Sequence, residues 1–228
     1  MRLSRIIVIL AFLFVAVAAF AQQDYVGRYD AYGGYSFLTT PKLNLFERGF
    51  HAQGGVNWKR WLAIGGDFSV FDGHSSLFPN MLNPAKQAAL APYLPLLPAG
   101  YTLYVPYGVT TYTFTAGPQI NIRNLKYVTF FIHPSIGGMH QDTTAHPKDP
   151  IQTMIVAGLL GSSGKTSDTV MFWGVGGGID FNVAKHMSIR LTSDFVNTGL
   201  YSNLLNGRQN DIRFSVGPAF HFGKNVEK

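Results

Sequence analysis

The 228-residue sequence contains no cysteine, which excludes disulfides, thiolate metal sites, thiol catalysis and an acylated N-terminal cysteine. Glutamate occurs only at Glu47 and Glu227, and charged residues make up just 13% of the chain. Surface helices lean on Glu and Lys, so a helical protein is a poor fit. Beyond residue 21 no apolar run is long enough for a membrane-crossing helix. The basic excess is small once Arg2 and Arg5 are set aside, and it is scattered. Nucleic acid is therefore not an expected partner. What the chain does have is 25 glycines and 14% aromatic residues, a profile of strands and tight turns. No linker composition divides it, so one domain is expected.

The opening "MRLSRIIVILAFLFVAVAAFAQQ" places Arg2 and Arg5 before an apolar stretch from Ile6 to Val17, followed by the small-x-small triplet Ala19-Phe20-Ala21. That order describes a secretory signal peptide over residues 1–21, cleaved after Ala21, with one folded domain over residues 22–228. The competing reading, a membrane-anchoring helix, suffers from a short run and no stop-transfer flank.

The rest of the chain alternates with period two. One face carries Tyr35 and Phe37, Phe50 and Val56, Ile64 and Phe68, Phe114 and Ile120, Phe130 and Ile132, Trp173 and Val175, Ile189 and Leu191, then Phe214 and Phe220. The opposite face carries Ser36, His51, Gln53, Ser69, Thr113, Thr115, Thr129, His133, Asn182, Thr192 and Ser215. About eight strands result, joined by short turns at one end. At the other end stand longer loops at about 39–48, 72–107, 139–168 and 197–210. A soluble sandwich or a periplasmic ligand-binding barrel alternates as well. Secretion combined with an even number of strands favours a membrane instead. Ten residues rise about 33 Å, which at a 45° tilt spans an outer membrane. In lipid such strands must close on themselves. The expected fold is an eight-stranded antiparallel up-and-down transmembrane β-barrel with its apolar face outward. Pro118, Pro134 and Pro218 fall inside strand-like runs, so a bulge or strand end is expected near each.

Ser215, Gly217, Phe220 and Phe222 fit a polar-x-Gly-x-x-aromatic-x-aromatic pattern. It resembles the C-terminal β-signal read by the barrel assembly machinery of Gram-negative bacteria. "AYGGYSF" and "WLAIGGDFSVF" likewise resemble the first and third strands of OmpA-like or opacity-type small outer-membrane barrels. The resemblance implies residence in the outer membrane in contact with its lipid, both ends in the periplasm and four loops outside. It also implies a structural or adhesin-like surface role with neither catalysis nor cofactor. A narrow porin-like channel is the alternative, and a lipid-modifying enzyme a third reading. Two departures stand out: Gly223 to Lys228 extend past the last aromatic, and no peptidoglycan-binding module follows.

Asp30, Asp67, Asp180 and Asp194 share the inward parity with Arg190 and Arg213. An unpaired arginine facing lipid costs about 2–4 kcal/mol, so these six residues are expected to form an interior ion network. A packed plug is preferred over a gate, because eight strands leave room only for side chains or one small ligand. The apolar, proline-rich 72–107 loop holds a candidate helix over Pro84 to Ala91, capped by Asn83 and ended by Pro92. Binding an external partner and folding over the barrel mouth are both open to it. His133 and Ser135 invite comparison with barrel-form lipid A deacylases. Catalysis needs a group to orient the histidine, and Glu47 and Glu227 are both expected outside strands. "GLLGSSGKT" lacks a phosphate-loop glycine at Leu159 and reads as a flexible outer loop, while "GVGGG" lacks the third dinucleotide glycine at Ile179. His51, His133, His140, His146 and His221 show no ligand spacing, and no metal site is expected.

Overall fold

A computed structural model describes residues 25–125 and 127–226; the signal peptide and cleavage site expected from the sequence lie outside them. Eight strands form a closed barrel in sequence order. They are β1 (Gly27–Thr40), β2 (Leu45–Asn57), β3 (Leu62–Leu77), β4 (Val105–Ile122), β5 (Val128–Ala145), β6 (Lys165–Ala184), β7 (Met187–Thr198) and β8 (Gln209–Asn225). Each runs antiparallel to its neighbours, and β8 closes on β1 through pairs such as Ser36 with Ser215. Two helices interrupt the far-end connections, α1 (Pro84–Leu90) and α2 (Pro150–Leu160). No described helix is long and apolar enough to cross a membrane.

The alternation decides which way each side chain points. Phe50, Ile64, Phe114, Ile132, Trp173 and Phe214 are all roughly half exposed or more on the outer wall, whereas Ser36, His51, Ser69, Thr111 and Arg190 are buried inside. Large apolar side chains therefore cover the outside of the closed sheet. So wide a patch marks an apolar partner surface rather than a water-facing one. At Thr39, Arg48, Asp72, Thr110, His140, Thr169, Asn197 and Asn210 the outward residues turn polar, and the girdle ends.

The strands outrun that girdle. They are 12 to 20 residues long instead of about ten, and the surplus lies at the far end. The loops expected at 39–48, 72–107 and 139–168 are correspondingly shorter. The first is only a 3-10 turn, Pro41–Leu43, closed by Asn44 in the left-handed region at φ 46°. Glu47 consequently belongs to β2, not to a loop. The outward face is polar above the girdle, so an apolar/polar alternation vanishes there although the pairing continues.

The prolines bring a second correction. β4 and β5 pass through Pro118 and Pro134 without a bulge: pairing lapses between Ala116–Ile136 and Ile120–Ile132 and resumes in the same register. β1 and β8 do the same around Pro218, between Tyr32–Ala219 and Tyr35–Val216. The missing N–H groups are absorbed by a skipped rung. At that seam Gly217 lies so close to β1 that a Cβ would overlap the Gly33 carbonyl oxygen. Only glycine lets β8 close there.

Candidate functional site

The barrel interior is filled from the terminal end upward by polar layers. In the first, Arg190 on β7 uses all five of its N–H groups. Nε and Nη2 donate to Asp180, its cross-strand partner, at 2.7 and 2.8 Å. Nη1 and Nη2 donate to Asp30 on β1 at 2.9 and 3.1 Å, and Nη1 also reaches Gln53 at 2.8 Å. The guanidinium lies 4.9 Å from the Phe131 ring centre. Arg190 is 1% exposed, so its charge is held entirely by these partners.

Arg213 on β8 repeats the design one layer further. Nε donates to its cross-strand partner Asp194 at 2.7 Å, while Nη1 and Nη2 donate to Asp67 on β3 at 2.8 and 3.1 Å. Ser69 takes another Nη1 bond at 2.9 Å, and Thr115 donates to Asp67. The six residues expected from the sequence are thus brought together as two arginine-centred clusters. In each, one aspartate comes from the adjacent strand and the other from further round the barrel: Asp30 on β1 is two strands from Arg190, and Asp67 on β3 is three strands from Arg213.

Three histidines of the inward face, outside the ion network expected from the sequence, lie beside them. His221 Nδ1 lies 2.9 Å from Asp30, and its Nε2 lies 3.0 Å from the Ser188 hydroxyl. His133 Nε2 lies 2.6 Å from Asp194. His51 Nδ1 lies 3.0 Å from the Ser215 hydroxyl. Gly176 makes the His133–Asp194 contact possible, since a Cβ there would overlap Asp194 Oδ1.

The Asp194 contact corrects the argument about His133 and Ser135. An orienting carboxylate does exist, but His133 Nδ1 has no hydrogen-bond partner and Ser135 is not bonded to the ring. The histidine serves Asp194, and no nucleophile relay is assembled. The cavity touching His133 and Ser135 measures about 20 Å³, room for about one water.

Above Arg213, Glu47 accepts from Thr111 at 2.6 Å, Gln141 donates to Thr111 at 2.7 Å, and Asp211 accepts from Thr40 at 2.7 Å. Both acids are buried. Neither was assigned to the network; Glu47's inward parity between Phe46 and Arg48 was the available signal.

The far mouth is closed by apolar side chains. Leu45, Tyr107, Met139, Phe172, Val196 and Leu205 belong to one buried cluster, against which Leu77 and Met81 pack. The loop after β3 divides its two expected behaviours along its length. α1 starts at Pro84 with Asn83 as cap, its side chain accepting from Lys86 N at 2.9 Å. Leu82 and Leu90 are buried, and Leu82 bridges to Leu205, so the base folds over the mouth. The tip does not: Tyr93 and Leu96 are 62% and 78% exposed.

α2 was not expected. It takes in only Gly158, Leu159 and Leu160 of the "GLLGSSGKT" segment, whose Lys165 and Thr166 open β6. The helix ends before Gly161 and Gly164, the reverse of a phosphate loop, where the glycines lead into the helix. Its start was legible in Asp149-Pro150-x-Gln152. Asp149 caps Gln152 N at 2.9 Å, Gln152 accepts from Lys148 N at 2.8 Å, and Pro150 occupies the first turn. The Gln152 N–H holds the Asp149 carboxyl below its usual range, helped by the Tyr101 hydroxyl, which donates to it at 2.8 Å. That bond ties the two long far-end connections together.

The four residues that resemble a β-signal, Ser215, Gly217, Phe220 and Phe222, all lie on β8. Phe220 and Phe222 face outward, each 48% exposed, while Ser215 faces the lumen and bonds Ser36 at 2.7 Å. No group of acids, histidines or cysteines able to hold a metal occurs among the described residues.

A family model described as an outer membrane protein beta-barrel domain matches residues 7–220. Among solved structures, neisserial surface protein A superposes with a TM-score of 0.51 at 10% identity, covering 85% of this chain and 96% of that one. Ail, the attachment invasion locus protein of Yersinia pestis, solved with the heparin analogue sucrose octasulfate, gives 0.49 at 16%, covering 86% and 99%. OprG of Pseudomonas aeruginosa gives 0.48 at 9%, covering 90% and 100%. A search of curated proteins finds no match.

Proposed function

The chain belongs to the outer membrane protein β-barrel family, and from that premise we propose that it is a non-catalytic, non-conducting barrel that presents its far end as an interaction surface outside a Gram-negative cell. In this reading the signal peptide is removed after Ala21, and both ends of the mature chain lie in the periplasm. The barrel assembly machinery reads β8 through Ser215, Gly217, Phe220 and Phe222.

The observation that carries the reading is the filled lumen. Two arginine clusters cross it in succession, and an apolar cluster caps the mouth. Ions meet a desolvated charge network and then a dry seal. The interaction role falls to the tip around Tyr93, Leu94 and Leu96, an exposed apolar group of the kind that marks contact with a partner.

Planar-bilayer recording tests the closed lumen: the reconstituted barrel should show no stable single-channel steps, and regular steps would overturn the reading in favour of a narrow pore. A Ser135→Ala variant should leave lipid A modification in the host unchanged. Loss of a modification would restore the enzyme.

A further inference from the structure

We propose that the terminal end of the barrel carries a headgroup site for anionic phospholipid of the inner leaflet. The proposal rests on the membrane placement and orientation given above.

A cleft of about 940 Å³ opens where the start of β1, the β2–β3 turn and the end of β8 meet. Arg28, Lys59 and Lys224 supply its charge and are exposed; Tyr29, Trp58 and Trp61 supply its apolar side. Trp58 and Trp61 are 63% and 52% exposed at the lower edge of the girdle. Tryptophan and tyrosine at that level sit where acyl chains give way to headgroups.

Among the described residues the charge at this end is one-sided. Arg60, Arg123 and Lys185 stand on the same rim. Among the described residues no carboxylate accompanies them outside the lumen: Asp30 and Asp180 are turned inward onto Arg190, and the other acids lie further along the barrel or beyond it. The lysines are also seated on the aromatic belt, Lys59 5.9 Å from the Trp61 ring centre and Lys185 5.1 Å from that of Tyr25.

A phosphodiester with a net negative charge fits between Arg28, Lys59 and Lys224. Its chains then lie along Val56, Ile64 and the Tyr29–Phe222 pair, whose ring centres are 5.7 Å apart. A zwitterionic lipid offers the same chains without the net charge. Each basic residue close to an anionic bilayer surface contributes about a fivefold factor in association.

The mature chain carrying Trp173→Phe emits only from Trp58 and Trp61. Reconstituted in phosphatidylcholine vesicles, it should be quenched more strongly by brominated phosphatidylglycerol than by brominated phosphatidylcholine. The relative association constant should be at least about fivefold. Adding Arg28→Gln, Lys59→Gln and Lys224→Gln should bring that ratio to about one, with heat-modifiable gel migration retained to certify folding. Equal quenching by the two lipids in the parent would overturn the lipid site and leave the membrane placement standing. Absence of quenching by either would overturn the placement itself. A ratio unchanged in the triple variant would remove the cleft as its source. Abolition of the ratio by inorganic phosphate at matched ionic strength would assign the cleft to a free anion instead.

Discussion

Replacing Arg190 with methionine isolates the contribution of the first interior layer. The native guanidinium satisfies Asp180, Asp30 and Gln53 with five hydrogen bonds while 1% exposed. Methionine fills a similar volume against Phe131 but deprives the two carboxylates of the guanidinium they share, leaving only His221, beside Asp30. Removing one partner of a buried ion pair costs about 3–5 kcal/mol, whereas replacing the whole set with neutral groups is often close to neutral. Arg190→Met should therefore lose about 3–5 kcal/mol, and Arg190→Met with Asp30→Asn and Asp180→Asn should recover most of it. Equilibrium urea unfolding in lipid vesicles, followed by tryptophan emission and gel migration, measures both. A single variant within about 1 kcal/mol of the native barrel would refute the claim that the cluster is desolvated and mutually dependent. So would a triple variant as unstable as the single one.

Two further perturbations address the second layer and the outer connections. Gly176→Ala puts a methyl group into the space used by Asp194 and His133 and should cost about 1–3 kcal/mol through overpacking, read by the same unfolding assay. Asp149→Ala removes the cap of α2 and its Tyr101 tie, which should speed amide exchange across 150–160 while leaving the barrel strands protected. Because the folded carboxyl titrates below its unfolded value, the cap's contribution is fully present above the ordinary carboxylate range. It is lost as pH falls through the lowered folded value. Exchange in α2, corrected for intrinsic rates, should accelerate only on the acid side; acceleration on the alkaline side would contradict the assignment.

How far the sequence reveals this molecule depends on what each feature leans on. The closed eight-stranded barrel was legible because strand parity sorts Phe214, Val216 and Phe220 from Arg213 and Ser215 within a few residues. The pairs Asp180–Arg190 and Asp194–Arg213 follow from adjacent strands and register. Asp30 and Asp67 share their parity, but which arginine each meets is set by strand tilt across the lumen, a property of closure rather than of any segment. Glu47 escaped because the outward face turns polar beside it at Arg48. α2 escaped because its residues are apolar all round and carry no helical periodicity, although the capping sequence at Asp149–Gln152 is complete. The two lapses in pairing at proline were hidden for a related reason: a closed sheet tolerates missing N–H groups where a neighbouring glycine, Gly117 or Gly217, lets the chains approach.

The central claim is that the Phe214 row meets hydrocarbon while the Arg213 row meets the lumen. A chain without cysteine allows a single cysteine to be placed in turn at each position from 212 to 222, labelled with an environment-sensitive fluorophore and exposed to lipids brominated along their chains. Quenching should be strong at 212, 214, 216, 218, 220 and 222 and weak at the positions between. Strong quenching at 213 and 215 with protection at 214 and 216, or no alternation at all, would contradict it.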